Sequence, residues 1–293
     1  MAKKVFKIPV SVVIPTYNGL SLLQKNLPAV FACLGDGDEV VIVDDASTDT
    51  SLRWLKDAFN TRSRKIKRAG KIIPTQTGAF VQAKKRIIVT IIAQKRNLRF
   101  AKSANKGVLA AKHSLVFLLN SDVSPDRTVL RYLVPYFKQD QVFAVGCMEL
   151  GTDDKGNQTK QGKNTIRFQR GMFIHAKAAD LEPGPTAWAT GGSSLFNREK
   201  WLKLGGFDAD YAPAYWEDID LSFRAQRQGW KVLFEPKAKV DHNHETTNSD
   251  VFGQQKIYQM SWNNAQKFVK KNGNWWQKLL HLLWKPYWLI KTQ

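Results

Sequence analysis

Two short runs without polar alternation restrict the fold more than anything else in the chain. Val10–Pro15 reads VSVVIP, and Glu39–Asp45 reads EVVIVDD. A strand with one wet face alternates apolar and polar residues. A continuous β-branched run suits a strand buried on both faces, as in a parallel sheet covered by helices. The flanking segments agree. Gly19 and Leu20 lead into a predicted helix that reaches Cys33 and ends at the Gly35-Asp36-Gly37 turn. After the second run, Ser47 or Thr48 is placed to cap a helix continuing to Phe59. Arg86–Ala93, Ser114–Leu119 and Val142–Met148 predict further strands, with a helix over Ala101–Lys112 between the first two. Ser124-Pro125 offers a hydroxyl cap and a proline at a first helical position, which predicts another helix. Such alternation predicts an α/β chain with a mostly parallel sheet and right-handed crossovers.

Past residue 150 the pattern loosens. It gives a polar loop over Gly151–Asn164, a hairpin over Ile166–Ala176 and a turn at Glu182–Pro185. Helices are predicted over Arg198–Leu204 and Glu217–Gln228, and a short strand at Lys231–Phe234. With 43 % hydrophobic residues in 293, the chain can bury a sizeable core, which excludes wholesale disorder. Cys33 and Cys147 make neither a metal-ligand spacing nor a disulfide framework, so a reducing, cytoplasmic compartment is expected. No export signal is predicted at the N-terminus. The apolar stretch Trp275–Ile290 is interrupted by Lys278, Lys285 and Pro286 and is shorter than the ~20 apolar residues of a spanning helix.

Charge is unevenly spread. Lys and Arg number 45 against 25 Asp and Glu, a net charge of +20. Residues 53–112 hold seventeen basic residues and one acid, Asp57, too skewed to be an ordinary solvated face. Residues 251–293 hold seven lysines, no acid and five of the ten tryptophans. Such surfaces attract nucleic acid, anionic lipid or a phosphorylated small molecule. Recognition-helix, zinc-finger and RNA-recognition signatures are all missing, so no specific nucleic-acid partner is expected.

The carboxylates point to a small-molecule site. Neither a P-loop nor a Gly-x-Gly-x-x-Gly follows a strand. Instead Asp44 and Asp45 end one predicted buried strand, and Asp122 lies just past another in Leu-Leu-Asn-Ser-Asp. Open parallel sheets bind ligands outside the carboxyl ends of their strands. Glu217, Asp218 and Asp220 begin a predicted helix beside Tyr215 and Trp216, where a carboxylate against aromatics can be tuned as a base. The cluster Asp241-His242-Asn243-His244-Glu245, with Asp122, could share a divalent cation.

At this point the chain resembles the inverting family 2 glycosyltransferases of GT-A fold. The resemblance runs in order through SVVIPTYN (Ser11–Asn18), VDDASTD (Val43–Asp49), NLRFAKSANKG (Asn97–Gly107) and LLNSDV (Leu118–Val123). It resumes at TGGSSLFNR (Thr190–Arg198), GGFD (Gly205–Asp208), WEDIDLSFR (Trp216–Arg224) and Val240–His242. Position by position, it implies that Pro15, Thr16, Tyr17 and Asn18 border the nucleotide base, with Asp44 or Asp45 holding base and ribose. Asn105, Asn120, Ser121, Gly191, Gly192 and Glu217 are the further nucleotide-sugar contacts it implies. Asp122 would bind the metal (Mg²⁺ or Mn²⁺), joined by His242 or, in its stead, His244. Asp218 would be the general base. Asn120 replaces the first acid of the family's Asp-x-Asp, a substitution that resembles the rhamnosyltransferase-like branch.

The implied activity is transfer of a sugar from a nucleoside-diphosphate donor to a glycan or lipid-linked acceptor with inversion, in cell-surface polysaccharide or glycolipid synthesis. The implied organisation is a GT-A domain over residues 1–250, with a nucleotide-sugar half at about 9–123 and an acceptor half at about 124–250. A helical basic and aromatic tail follows over 251–293. Trp and Lys together favour a membrane–water boundary, so the tail is expected to touch an anionic membrane at its cytoplasmic face; the competing arrangement packs its tryptophans on the domain. Two other functions compete, a basic nucleic-acid-binding protein and a glycosyltransferase-like module without catalysis, the latter motivated by Asn120.

Overall fold

A computed structural model describes residues 8–82, 85–153, 155–242 and 253–291. Its first half opens with β1 (Val10–Thr16), α1 (Leu20–Cys33), β2 (Glu39–Asp44) and α2 (Ser51–Ala58). It continues through β3 (Arg62–Arg68), β4 (Lys71–Gln82), β5 (Lys85–Ala93), α3 (Arg99–Ala110) and β6 (Leu115–Leu119). The middle brings β7 (Val123–Pro125), α4 (Val129–Leu133), β8 (Val142–Thr152), β9 (Gln158–Gln161), β10 (Asn164–Gln169) and β11 (Met172–Lys177). Then come β12 (Gly184–Pro185), β13 (Ser193–Asn197), α5 (Arg198–Lys203), α6 (Glu217–Arg227) and β14 (Lys231–His242). The last described elements are helices α7 (Gln254–Asn272) and α8 (Trp275–Lys291).

The large sheet runs β12-β14-β8-β13-β6-β1-β2-β5-β4-β3, with β7 on β14 and β9 on β8. β1 lies parallel to both β2 and β6, and β2 parallel to β5, as the continuous apolar runs predict. Alternate residues of those runs enter opposite cores. Val12, Ile14, Val40 and Ile42 pack under α1 and α2, while Val13, Val41 and Val43 pack under α3 with Trp201 and Leu221.

The expectation of a mostly parallel sheet needs correction, because β3, β4 and β13 are antiparallel to their neighbours. The basic segment after residue 60 is a hairpin, β3–β4, laid on β5. Its outermost strand, RSRKIKR, is almost wholly exposed, and a charged edge strand resists pairing with another chain. Ser124-Pro125 does not begin a helix. It sits in β7, paired with Val240 and Asp241, and the helix starts four residues later, where Asp126 accepts the Thr128 N–H. Ser47 and Thr48 do not cap α2; Asp49 accepts the Ser51 N–H at 3.0 Å instead. Val142–Met148 extends to Thr152 and Lys231–Phe234 to His242, because β8 and β14 pair in parallel along most of their length. Gly184–Pro185, expected as a turn, forms a two-residue strand on β14. His244 and Glu245 lie outside the described residues.

The helices after residue 253 are no loose appendage. Phe268 and Val269 of α7 are fully buried with Phe173, Trp188 and Trp216. Among the described residues no helix is long and apolar enough to cross a membrane.

Candidate functional site

The ends of β1 and β2 form the first wall. Thr16 and Asp44 are register partners in adjacent parallel strands. Thr16 Oγ1 and Asp44 Oδ1 are buried and without a hydrogen-bond partner, an arrangement that a bound polar ligand would complete. Burial raises the Asp44 carboxyl above its ordinary range despite the Ser47 N–H donated to it. Asp45 is different: it accepts from Gln94 Nε2 at 2.7 Å, Leu98 N at 2.8 Å and Arg99 N at 2.8 Å. Its oxygens are engaged in fixing the loop before α3, which leaves Asp44 as the better-placed ligand-facing acid. Pro15 is buried within β1, and Tyr17 is 43 % exposed at the rim. Asn18, in the left-handed region at φ 49°, ties two loops together; it accepts the Thr48 N–H at 2.7 Å and donates its own N–H to Ser47.

The second wall follows β6. The Asn120 N–H donates to the Gly192 carbonyl at 2.9 Å, and the Asn120 side chain lies across Gly192. A Cβ on Gly192 would stand 2.4 Å from Asn120 Nδ2, so only glycine admits this contact. The Ser121 carbonyl accepts Asn26 Nδ2 at 2.9 Å, which pins the loop to α1. Asp122 Oδ1 is buried, has no hydrogen-bond donor, and lies 3.5 Å from His242 Nε2. On the other side of the ring, His242 Nδ1 is 3.5 Å from Glu149 Oε2. Glu149 in turn accepts from Ser193 Oγ at 2.5 Å and Gln161 Nε2 at 3.1 Å. Burial alone would lower the His242 pKa, but the two flanking carboxylates raise it to about 10, so the ring carries a proton here.

The buried carboxylate oxygen of Asp122 fits a hard divalent cation of the kind held by one or two protein ligands and completed by substrate phosphates and water. Ligation by His242 would release its proton. No cluster of three or more potential metal ligands occurs among the described residues. A cavity of about 590 Å³ opens beside Asp122, with Lys25, Lys160 and Lys239 in its lining.

The third wall is the start of α6. Tyr215 and Trp216 both have positive φ, 76° and 78°, and this turn aims the first helical residues at the glycines. Asp218 accepts the Gly191 N–H at 3.3 Å and the Ile219 N–H at 2.8 Å. Burial pushes Asp218 and Glu217 well above the ordinary carboxylate range, and the Asp218 charge pushes Glu217 further. Asp220 has a structural task. Its oxygens accept from Asn272 Nδ2 at 2.7 Å, Tyr211 Oη at 3.1 Å and Arg224 Nε at 2.7 Å.

Gly191-Gly192 joins the walls, with Asn120 lying on one glycine and Asp218 against the other. Asn105 pairs its amide oxygen and nitrogen with the Phe207 backbone, at 2.8 Å each, which fixes its side chain. Glu149 and Ser193 went unrecognised in the sequence. Glu149 follows the buried strand Val142–Met148 directly, so the argument that singles out Asp44 and Asp122 applies to it equally.

The fold has counterparts among known proteins. The O-antigen chain rhamnosyltransferase RfbN of Salmonella typhimurium is 22 % identical over 249 residues, covering 83 % of this chain and 69 % of that protein. The structure of GalNAc-T7 with UDP, GalNAc and Mn²⁺ superposes with a TM-score of 0.59 at 16 % identity, covering 82 % of this chain and 44 % of that one. The mannosyltransferase PcManGT from Pyrobaculum calidifontis, solved with GDP-Man and Mn²⁺, gives 0.55 at 15 % identity over 96 % of this chain and 74 % of that one. These structures share the GT-A fold with it. The family described as Glycosyltransferase like family 2 matches residues 8–258. Motifs, sheet and family agree, and the chain is a glycosyltransferase belonging to family 2.

Proposed function

We propose that this glycosyltransferase moves a hexosyl or deoxyhexosyl group from a nucleoside-diphosphate sugar to a hydroxyl of a growing glycan or lipid-linked acceptor, with inversion. One observation carries the proposal: an ionisable Asp218 and the Asp122–His242–Glu149 chain flank the same glycine pair at the carboxyl ends of the central strands. Thr16 and Asp44, with their unpartnered oxygens, would receive the nucleoside, bordered by Pro15, Tyr17 and Ser121. Asn120, Gly191 and Gly192 would bound the donor sugar.

Asp218 takes the proton of the acceptor hydroxyl while that oxygen attacks the anomeric carbon. The bond from that carbon to the diphosphate oxygen breaks on the opposite face, so configuration inverts. The proton rests on Asp218, and its raised pKa makes it a stronger base than a solvated carboxylate. Gly191 N–H orients the carboxylate during this transfer. Asp122, with His242 once deprotonated, would hold Mg²⁺ or Mn²⁺. Such a cation, when bound, neutralises charge developing on the leaving diphosphate. Lys25, Lys160 and Lys239 add positive potential in the cavity beside Asp122. An acceptor on a lipid carrier would place the enzyme at the cytoplasmic face of a membrane.

The deciding experiment incubates the chain with a panel of nucleotide sugars and Mg²⁺ or Mn²⁺, then determines the anomeric configuration of any product by NMR. An inverted linkage supports the proposal. Retention of configuration refutes it. Tight nucleic-acid binding with a steep salt dependence and no donor turnover would favour the nucleic-acid function instead.

A further inference from the structure

Helix α8 is docked on one side and apolar on both. Its N-terminus is fixed by reciprocal bonds, Asn274 N–H to Gln277 Oε1 at 3.0 Å and Gln277 N–H to Asn274 Oδ1 at 2.8 Å. The inner side rests on the β10–β11 turn. His281 Nδ1 lies 3.0 Å from the Gly171 carbonyl, and Trp288 Nε1 donates to the Arg170 carbonyl at 2.6 Å. The Arg170 guanidinium lies over the Tyr287 and Trp284 rings, and Trp288 packs on Trp262. Gly171 has φ 72°, and a Cβ there would stand 2.6 Å from the Leu280 carbonyl oxygen, so the turn meets the helix backbone directly.

The outer side of a helix docked this way would ordinarily be polar. Here the 3.6-residue repeat brings Trp275, Trp276, Leu279, Leu282 and Leu283 onto one outward stripe. Trp275 is 76 % exposed, Leu282 65 % and Leu283 66 %. Lys278 and Lys285, seven residues apart, lie along one border of that stripe, and residues 251–293 contain no acid. Apolar residues with indole rings, a lysine border and no opposing charge match the boundary of an anionic bilayer, where rings sit among headgroups and ammonium groups meet lipid phosphates.

We infer that α8 is an interfacial helix that lays its outward stripe on an anionic membrane. The tryptophans divide, Trp262 and Trp288 packing on each other while Trp275 and Trp276 face out. The docking also sets an orientation. α7 holds the start of α6 through Trp216 Nε1 to Ser261 Oγ at 3.2 Å and Asn272 to Asp220, so the helix that carries Asp218 is tied to the membrane-facing helices.

The inference is independent of the reaction assigned to Asp218, and binding is measured without donor or acceptor. The full chain and its Leu282→Glu/Leu283→Glu variant are sedimented with vesicles of phosphatidylcholine, with and without phosphatidylglycerol. The expected result is salt-sensitive binding to the anionic vesicles that falls roughly tenfold or more in the variant. An unchanged melting temperature would show that the variant folds. A second variant, Trp275→Ala/Trp276→Ala, should weaken binding in the same direction. Absence of wild-type binding, or equal binding by wild type and both variants, overturns the inference. A wild-type dimer that the Glu variant abolishes, with no vesicle binding, would assign the stripe to a second copy and overturn it as well.

Discussion

Replacing Asp218 by Asn separates catalysis from architecture at this site. The change keeps the shape of the side chain and one carbonyl oxygen, which can accept either the Gly191 or the Ile219 N–H but not both. The lost acceptor costs about 1 kcal/mol of stability. A second effect opposes it. Burial holds the folded-state pKa of Asp218 above its unfolded value, so the native state binds more protons than the unfolded one between the two values. Stability therefore falls as pH rises through that window, and a neutral amide removes a penalty of about 1.4 kcal/mol for each unit of displacement. The net expectation is a melting temperature at pH 8 no lower than wild type. Activity should behave quite otherwise. Loss of a general base lowers kcat by about 10²–10⁴-fold, or roughly 2.7–5.5 kcal/mol in barrier height. The acid limb of kcat/KM, displaced upward from the ordinary carboxylate range in the wild type, should vanish. Glu217→Gln is the control, since Glu217 Oε2 has no hydrogen-bond partner and the amide keeps the side chain's shape; it should keep activity within about tenfold of wild type. Rates are measured by nucleoside-diphosphate release across pH. Wild-type-like turnover in Asp218→Asn, or a larger loss in Glu217→Gln, would refute the assignment.

Asp122→Ala should remove any stimulation by Mn²⁺ and weaken nucleoside-diphosphate binding measured calorimetrically with the ion present, leaving metal-free binding nearly unchanged. Asp44→Asn should weaken the same binding about tenfold, one lost charged hydrogen bond, with metal stimulation intact. Gly171→Ala forces a side chain against α8 at positive φ and should destabilise its docking by about 1–3 kcal/mol. Faster proteolysis near Gly273 and a shift in tryptophan emission would report the release of the helix.

What the sequence made legible was what local chemistry dictates. The unalternating runs of β1 and β2 read as strands covered on both faces, and the importance of the acids ending β2 followed from that. The residues missed were those whose role depends on pairing across distance. Glu149 lies just past Met148, where local sequence ends the strand; pairing with β14 as far as Leu150 and with β9 as far as Thr152 carries the strand on and sets Glu149 beside His242. Ser124-Pro125 satisfied every local rule for a helix start, yet pairing with Val240 and Asp241 outweighed propensity. Asn105 carries a motif position that suggests ligand contact, but a carboxamide can satisfy a whole peptide unit, and Phe207 supplies one 102 residues away. Single-sequence periodicity holds no trace of such partners.

The same long-range pairing explains how Asp218, the proposed base, and Asp122, the proposed cation ligand, are carried by different layers of the fold. Asp122 stands on the loop after β6, held to α1 through Asn26, while Asp218 rides on α6, whose lower turns are locked by Arg224 to the Leu204 and Gly206 carbonyls. Neither wall touches the other through its own helix. Their separation is set by β13, which runs antiparallel between β6 and β8 and delivers Gly191-Gly192 to the seam. A parallel strand in that place would begin at the opposite end of the sheet and bring no backbone N–H to Asp218. The reversed strand β13 therefore sets Gly191-Gly192 between Asp218, the proposed base, and Asn120 on the loop of Asp122, the proposed cation ligand.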